Sequence, residues 1–404
     1  MTREKNRTAH LVIPLLNFAA LLFGALVGWV AWPHAIWAAP LALVAIPFFG
    51  NTRAPMSAPF LLMFGYHLAT TWGLIHGTAV FFPKAGLLLG GLFWLGSSMV
   101  FAAPYLLYHR ISRWFRGALG RLSAALVATL ILSALSTILP PLGIIGWTSP
   151  WIGALNSGWP GVLATLASIC LAAFVEDGLI LAVLTLPPIL LASAPTPVPA
   201  PHEWTGLSTR FGHLSSPLSY VQASMRLERQ TMQKLRDGAK VILLPETVAG
   251  PWYAGTKAIW RTVIHWTATH RKQAVFVGAF VPEGIGYVDA MVQISDGRTR
   301  ILPDHIPVPF SMWHPWQPRG SFRMRVFGKP EMTRVGQTRV GYLVCYEQLL
   351  MLPGLQLAWH HPQALLAPAN DWWARGTDIP AIQRASVEAW GRLLHVPVIT
   401  AVNS

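Results

Sequence analysis

The stretch VGYLVCYEQ, residues 340–348, ends an apolar run on Cys345 and passes at once to Tyr346, Glu347 and Gln348. A thiol so placed can act as a nucleophile. It needs a lowered pKa, from a helix N-terminus or a nearby cation. It also needs a base to take its proton and donors to hold an oxyanion. Glu246 closes a second apolar run, KVILLPE (240–246), and is the candidate base. Asn370 closes a third, ALLAPAN (364–370). Taken singly, each has an ordinary reading: a strand-end cysteine as core, a Pro-Glu as a loop turn. The other cysteine, Cys170, lies in a distant apolar run, so no disulfide framework is expected. No metal or other cofactor is expected.

These three residues need elements to present them. From about residue 203 the pattern alternates between helical and strand periods. SYVQASMRLERQTMQKLRDG (219–238) reads as an amphipathic helix with a glycine stop. KAIWRTVIHWTATH (257–270) and IPAIQRASVEAWGRLLH (379–395) also read as helices. AVFVGAF (274–280), YVDAMVQI (287–294), RVGYLVC (339–345) and PVITAVN (397–403) read as strands, and a short helix is expected after Cys345. Alternation of this kind implies an α/β domain. Chemistry in such domains gathers at strand ends, where Glu246, Cys345 and Asn370 fall.

The first half of the chain is different. Of 404 residues, 53% are hydrophobic and 11% charged, against roughly 25% charged in an ordinary soluble domain. Residues 1–202 carry 9 Lys+Arg and 3 Asp+Glu, and residues 203–404 carry 21 and 13. About 20 apolar residues cross a bilayer as a helix. Seven candidates follow: 11–31, 35–50, 57–80, 86–108, 122–144, 160–175 and 178–194, the last two meeting at Glu176-Asp177. The basic clusters Arg3/Lys5/Arg7 and Arg110/Arg113/Arg116/Arg121 both belong in the cytoplasm by the positive-inside rule. Four spans separate them, so their parity agrees, and three more spans place residue 195 outside. Trp29, Trp32, Trp37, Trp147, Trp151 and Trp159 fall near span ends, as an interfacial belt would. His67 and His76 lie inside spans. No carboxylate shares their span, which favours a hydrogen bond to a neighbouring helix over a proton path. APTPVPAP (194–201) is a stiff Pro-rich linker. The domains expected are a membrane domain (1–194), a linker (195–202) and a soluble domain (203–404).

The net charge of +14 is scattered without a basic block, so no nucleic acid partner is expected.

LLPETVAG (243–250), VGYLVCYEQ (340–348) and APANDWWARGTDIP (367–380) occur in the order of the nitrilase superfamily, and the chain resembles apolipoprotein N-acyltransferases in particular. The resemblance implies membrane helices ahead of a periplasmic nitrilase-like domain, an αββα sandwich. It implies a catalytic set of Cys345 as nucleophile, Glu246 as base and Glu347, with Tyr346 directly after the nucleophile. Asn370, Asp371 and Trp373 match the family's late Asn-Asp-x-Trp segment. Tyr346, Asn370, Trp373 and Asp304 are the residues expected to line the substrate site.

Two departures matter. The resembled enzymes place a lysine, which holds the oxyanion, a few residues before a Val-Pro-Phe motif. Alignment on Val308-Pro309-Phe310 puts Asp304 there, and no lysine lies between Lys272 and Lys329. Losing one oxyanion donor costs about 3 kcal/mol, and a carboxylate raises a thiol's pKa. Arg298, Arg300 and His305 are the possible substitutes. His305 is the best placed, because it neighbours the vacant position and titrates near neutrality. Lys329 heads the hairpin into the Cys345 strand and is a poor substitute. The chain also stops at Ser404, where the acyltransferases continue. That implies a sheet edge which a partner could fill.

The overall layout is similar to TraB-type conjugal transfer proteins. That resemblance implies a multi-pass protein of the bacterial inner membrane, with a cytoplasmic N-terminus and a periplasmic C-terminal domain. Its expected partners are membrane lipid, a phospholipid or lipoprotein ligand, and proteins of the transfer apparatus. The alternative is a working N-acyltransferase or amidase that forms a thioester at Cys345. A third reading, a scaffold or transporter, has no nucleotide-binding loop or charged relay to support it.

Overall fold

The computed structural model describes residues 2–51, 56–175, 177–328 and 332–404. Glu176 and Lys329 lie outside the described residues. The chain divides into two compact units. The first comprises Met1–Thr196, Leu350–Leu352 and Thr377–Leu393, and the second Pro197–Leu349, Pro353–Gly376 and Leu394–Ser404.

The first unit is helical. Its helices are α1 (Thr2–Ala31), α2 (Pro40–Asn51), α3 (Ala58–Thr70), α4 (Gly73–Phe81), α5 (Gly86–Ala102), α6 (Tyr108–Thr137), α7 (Trp151–Asn156), α8 (Gly158–Phe174) and α9 (Gly178–Ser193). Two segments are long and apolar enough to cross a membrane, Ile13–Ala31 and Gly86–Phe115. The pair α3 and α4 passes the same test together, bent by 54°. The bend falls at Thr71-Trp72, inside the span expected at 57–80. Ile36–Gly50, Ser123–Thr137, Gly158–Phe174 and Gly178–Ser193 are apolar but shorter. Among the described residues, two helices, or three if the bent pair is one span, are long and apolar enough to cross a membrane.

Helices α1 and α3 pack through missing side chains. A Cβ on Gly24 would lie 1.8 Å from the Leu62 carbonyl oxygen, and one on Gly65 would lie 2.2 Å from that of Leu21. Small residues allow such close approach between helices. The Trp32 indole donates to the Tyr66 hydroxyl (2.8 Å), which donates to the Thr148 carbonyl (2.9 Å). Trp32 is therefore a core residue. So are Trp147 and Trp151, whereas Trp29 and Trp159 are exposed as an interfacial belt requires. His67 is fully buried and edge-on to Tyr66 and Phe101, with no hydrogen bond at either ring nitrogen. His76 is exposed. The expected hydrogen bond from His67 to a neighbouring helix is thus replaced by aromatic packing.

The second unit is α/β. One sheet runs β1 (Trp204–Gly206), β2 (Val241–Leu243), β3 (Ala274–Glu283), β4 (Gly286–Ser295) and β5 (Arg298–Pro303), in that spatial order. The other runs β6 (Met332–Val335), β7 (Thr338–Tyr342), β8 (Ala364–Asn370) and β9 (Val398–Asn403). Parallel pairs join β1–β2–β3 and β7–β8–β9, and antiparallel hairpins complete each sheet. Leu243, Phe276 and Met291 of the first sheet share a core with Val340, Leu366 and Ile399 of the second. The sheets therefore pack face to face.

On the outer face of the first sheet, Ile242, Val275 and Val292 pack against Leu227, Leu235 and Val263. Those three come from α10 (Pro217–Arg236) and α12 (Arg261–Thr269). A capping box between Ser216 and Ser219 starts α10, and Gly238 at φ 97° follows its end. The helix expected at 257–270 is broken at Trp260 into α11 (Ala254–Ile259) and α12. The helix α13 (Met351–Ala358) precedes β8 in sequence, and α14 (Ile379–Leu394), which follows it, belongs to the first unit in all but its last residue.

The edge strand β9 is not bare. Thr209 and Ser404 exchange backbone hydrogen bonds with the segment opposite: Thr209 N donates to the Val402 carbonyl (2.8 Å) and Ser404 N to the Thr209 carbonyl (3.1 Å). Gly212 N reaches the Ser404 carbonyl (3.3 Å). Residues 208–212 thus cover the C-terminal end of the edge that was expected to stand open.

Candidate active site

Cys345 opens a short 3-10 turn, Cys345–Leu349, directly beyond β7. It is 5% exposed and holds φ at 42°, in the left-handed region that non-glycine residues avoid. Thr247, next to Glu246, has φ 53°. Strained backbone of this kind costs of order 1 kcal/mol or more and gathers at functional sites. Glu246 follows β2 and lies across Gly278 of β3. A Cβ on Gly278 would meet the Pro245 carbonyl oxygen at 2.0 Å, so the missing side chain lets the Glu246 loop settle on the strand.

The two expected partners do meet. The Cys345 thiol donates a hydrogen bond to the Glu246 carboxyl. Burial pushes the thiol well above the ordinary range. The charges of Glu246 and Asp371 push the same way, and the Asn370 backbone N–H, directed at the sulfur, pulls it down. Glu246 is also raised well above the carboxylate range. Burial is the first cause, then the charge and contact of Asp289, with Asp304 adding more. Asp289 rises to about 6, chiefly through burial. Asp304 is raised by burial and by the charges of Asp289 and Glu347, against Arg325. Nucleophile and base are therefore both shifted toward their neutral forms, among further acids.

Glu347 is placed for architecture. Its Oε1 accepts from the backbone N–H of His305 (2.9 Å) and of Ile306 (3.1 Å), and its Oε2 from that of Val344 (3.0 Å). One carboxylate thereby ties the Cys345 corner to the loop after β5. It also occupies three amides that could otherwise face an oxyanion.

His305 is buried with its ring against Gly328, where an added Cβ would meet Nε2 at 2.7 Å. Burial lowers its pKa, so the ring is neutral near pH 7. As expected for a substitute donor it stands beside Asp304. The groups that chiefly act on the thiol, however, are Glu246, Asp371 and the Asn370 amide. Arg298 and Arg300 are exposed on β5.

Asn370 donates to Thr247 Oγ1 (2.8 Å) and accepts from Asn403 Nδ2 (2.8 Å). Asn403, fully buried, also accepts from Thr209 Oγ1 (2.8 Å) and from the Phe211 N–H (2.9 Å). This network fixes the ends of β8 and β9 beside the Glu246 loop. Tyr346 is partly buried in the turn, with its hydroxyl raised by burial. Trp373 is half-buried in the short turn after β8.

Sequence reading overlooked Asp289, Arg325 and Asn403. Asp289 had a signal: an acid in the middle of the apolar strand YVDAMVQI is rarely buried without a purpose. Arg325 had none, because it comes from an irregular stretch. It donates to both carboxylate oxygens of Glu283 (2.5 and 2.7 Å) and is the cation felt by Asp304 and His305.

No protein-family model matches the chain. It is 30% identical to a probable conjugal transfer protein TraB of Sinorhizobium fredii, over 98% of this chain and 100% of that protein. It is 32% identical to the conjugal transfer protein TraB of Agrobacterium fabrum, over 100% of this chain and 94% of that one. The chain belongs to the TraB family of conjugal transfer proteins. Both family relatives align across the two units, so the Cys345 site and the apolar helices fall within the shared length. Among solved structures, part of the chain is similar to an amidase of the nitrilase superfamily from Nesterenkonia. That match has 15% identity and a TM-score of 0.32, and covers 43% of this chain and 67% of the amidase. A carbon-nitrogen hydrolase from Helicobacter pylori matches with 15% identity and a TM-score of 0.31, over 41% and 58%.

Proposed function

We propose that this chain serves plasmid conjugal transfer as a multi-pass protein of the bacterial inner membrane. In this reading the N-terminus is cytoplasmic and the α/β unit is a periplasmic, nitrilase-like domain. Its Cys345 site binds a lipid, a lipoprotein or a component of the transfer apparatus, and its catalysis is reduced or lost. The observation that carries the reading is the Cys345–Glu246 pair, which keeps the nucleophile and base of a nitrilase-type site but is set among acids, with Asp304 where the resembled enzymes have lysine. The basic clusters at residues 3–7 and 110–121 support the orientation.

The test is plasmid transfer by cells carrying Cys345→Ala, beside intact mass of the purified protein after incubation with phospholipid vesicles. A binding role predicts no adduct. It also predicts transfer that is kept by Cys345→Ala but lost when Asn403→Ala disrupts the site's frame. A thioester-sized mass gain that disappears in Cys345→Ala would establish the second reading, an active N-acyltransferase or amidase. The thiol's hydrogen bond to Glu246 and the strained φ of Cys345 favour that second reading. Alkaline phosphatase fusions after residue 196 test the topology: an inactive fusion there would overturn the periplasmic placement.

A further inference from the structure

The charges around Cys345 do not balance. Glu246, Asp289, Asp304, Glu347 and Asp371 are all nearly fully buried. Glu347 is satisfied by its three amides, and Glu246 acts on the thiol. Both carboxyl oxygens of Asp289 are buried with no hydrogen-bond partner, and Asp304 shares that condition. Its backbone N–H is spent on the Asp289 carbonyl (2.9 Å), and its side-chain Oδ1 is buried with no hydrogen-bond partner. At 2% exposure this oxygen is cut off from bulk water, and such a group costs roughly 1–3 kcal/mol unless something meets it. The cation nearest in effect, Arg325, is already held by Glu283 and is 38% exposed.

We infer that the site takes a ligand bearing a primary ammonium group, seated against Asp304 and the Glu246–Asp289 pair beside Cys345. This rests on the reading of Cys345 as the functional centre of the α/β unit. The acids come from three separate places: the end of β2, the middle of β4 and the loop after β5. Three tetrahedral N–H donors suit acids arranged in this way. A guanidinium instead seeks both oxygens of one carboxylate in a planar fork; forked on the two unmet oxygens of Asp289, it would leave Asp304 Oδ1 unanswered. Among the described residues no group of His, Cys, Asp and Glu has the arrangement of a metal site.

Occupancy has a chemical consequence. A positive charge beside Glu246 and Cys345 favours the ionised forms of both. The ligand thus supplies the cation that the chain lacks, and the thiol becomes reactive when the ligand is present. The charged groups acting here are Glu246 and Asp371 on the thiol, Asp289, Glu347 and Arg325 on Asp304, and Glu347 and Arg325 on His305.

The experiment is alkylation of Cys345 by iodoacetamide in the full-length protein in nonionic detergent. It is read by peptide mass, with Cys170 as internal reference. Millimolar n-butylamine is expected to accelerate Cys345 alkylation about tenfold near neutral pH, and to move the rate–pH profile to lower pH. n-Butanol has no such effect. Asp304→Asn removes the response to amine. Asp304→Lys, which carries the ammonium on the chain itself, raises the rate without added amine. Phosphatidylethanolamine in phosphatidylcholine vesicles, against phosphatidylcholine alone, tests a lipid source. A peptide with a free N-terminus, against its acetylated form, tests a protein source. Acceleration in either arm supports the inference and names the source. The inference is overturned if butylamine acts no better than butanol, or if Asp304→Asn responds like the unmodified chain. If plasmid transfer still depends on the site in that case, the proposed function stands and only the ligand class falls.

Discussion

The two units bury different kinds of polar group. In the helical unit most buried hydroxyls are answered locally, although the two ring nitrogens of His67 are not. Thr129, Thr137 and Thr165 each return a hydrogen bond to the carbonyl four residues back, at 2.8 to 2.9 Å. Ser136 and Ser157 do the same across helices, to Phe101 and Leu190. In the α/β unit the buried polar groups are acids drawn from distant strands, and Asp304 keeps an oxygen unanswered. Locally paired groups specify packing and need nothing further. A buried group left over signals that something else completes it.

The comparison can be broken first in the helical unit, where the largest effect is expected. Gly24→Leu must force α1 from the Leu62 carbonyl, because even a Cβ would sit 1.8 Å from it. The expected loss exceeds about 3 kcal/mol, seen as loss of the monodisperse peak in detergent chromatography. Gly96→Leu, at a position with open space around it, leaves that peak unchanged.

In the α/β unit, Glu347→Ala strands three buried amides and costs about 3 kcal/mol. A fall in thermal midpoint together with faster proteolysis of the 303–306 loop would confirm it. An unchanged midpoint would show that Glu347 is dispensable to the corner.

The acids give a pH test that sharpens the contrast. The Asp289 carboxyl titrates at about 6 in the folded chain against an ordinary 3.8. The folded state therefore binds more protons than the unfolded state across that window, and stability falls as pH rises through it. Glu246 and Asp304, also raised, extend the fall upward. Thermal scans should place the midpoint higher at about pH 5 than at about pH 8, and Asp304→Asn should flatten the difference.

The smallest effect expected is at the surface. Lys240 and Glu203 pair at 2.7 Å but are each nearly half exposed. Lys240→Ala changes stability by no more than about 0.5 kcal/mol, within the error of a denaturant titration.

Much of this was legible in the residues. Alternating periods announced the strands that carry Glu246, Cys345 and Asn370, because apolar runs of that length bury themselves between layers. The strand β5 was missed although Asp296-Gly297, both at positive φ, is the turn dipeptide of a tight hairpin. The seven expected spans do not map one to one onto long helices, because hydropathy registers apolar composition and not where a helix breaks. Thr71-Trp72 interrupts one expected span, and four others correspond to apolar helices of 10–17 residues. Glu347 looked catalytic by position, and its three backbone partners come from loops that no local pattern predicts.

The strap of residues 208–212 on β9 bears on the order of assembly. Thr209 and Asn403, 194 positions apart, must meet before either the β9 edge or the Asn370 network is complete. Contacts of such separation form late, because the intervening loop must close first. The Glu246 loop, joined to that network through Thr247, is therefore set only after Asn403 has been synthesised. Until then the unit remains an incomplete sandwich, and the pair of Cys345 and Glu246 is unframed.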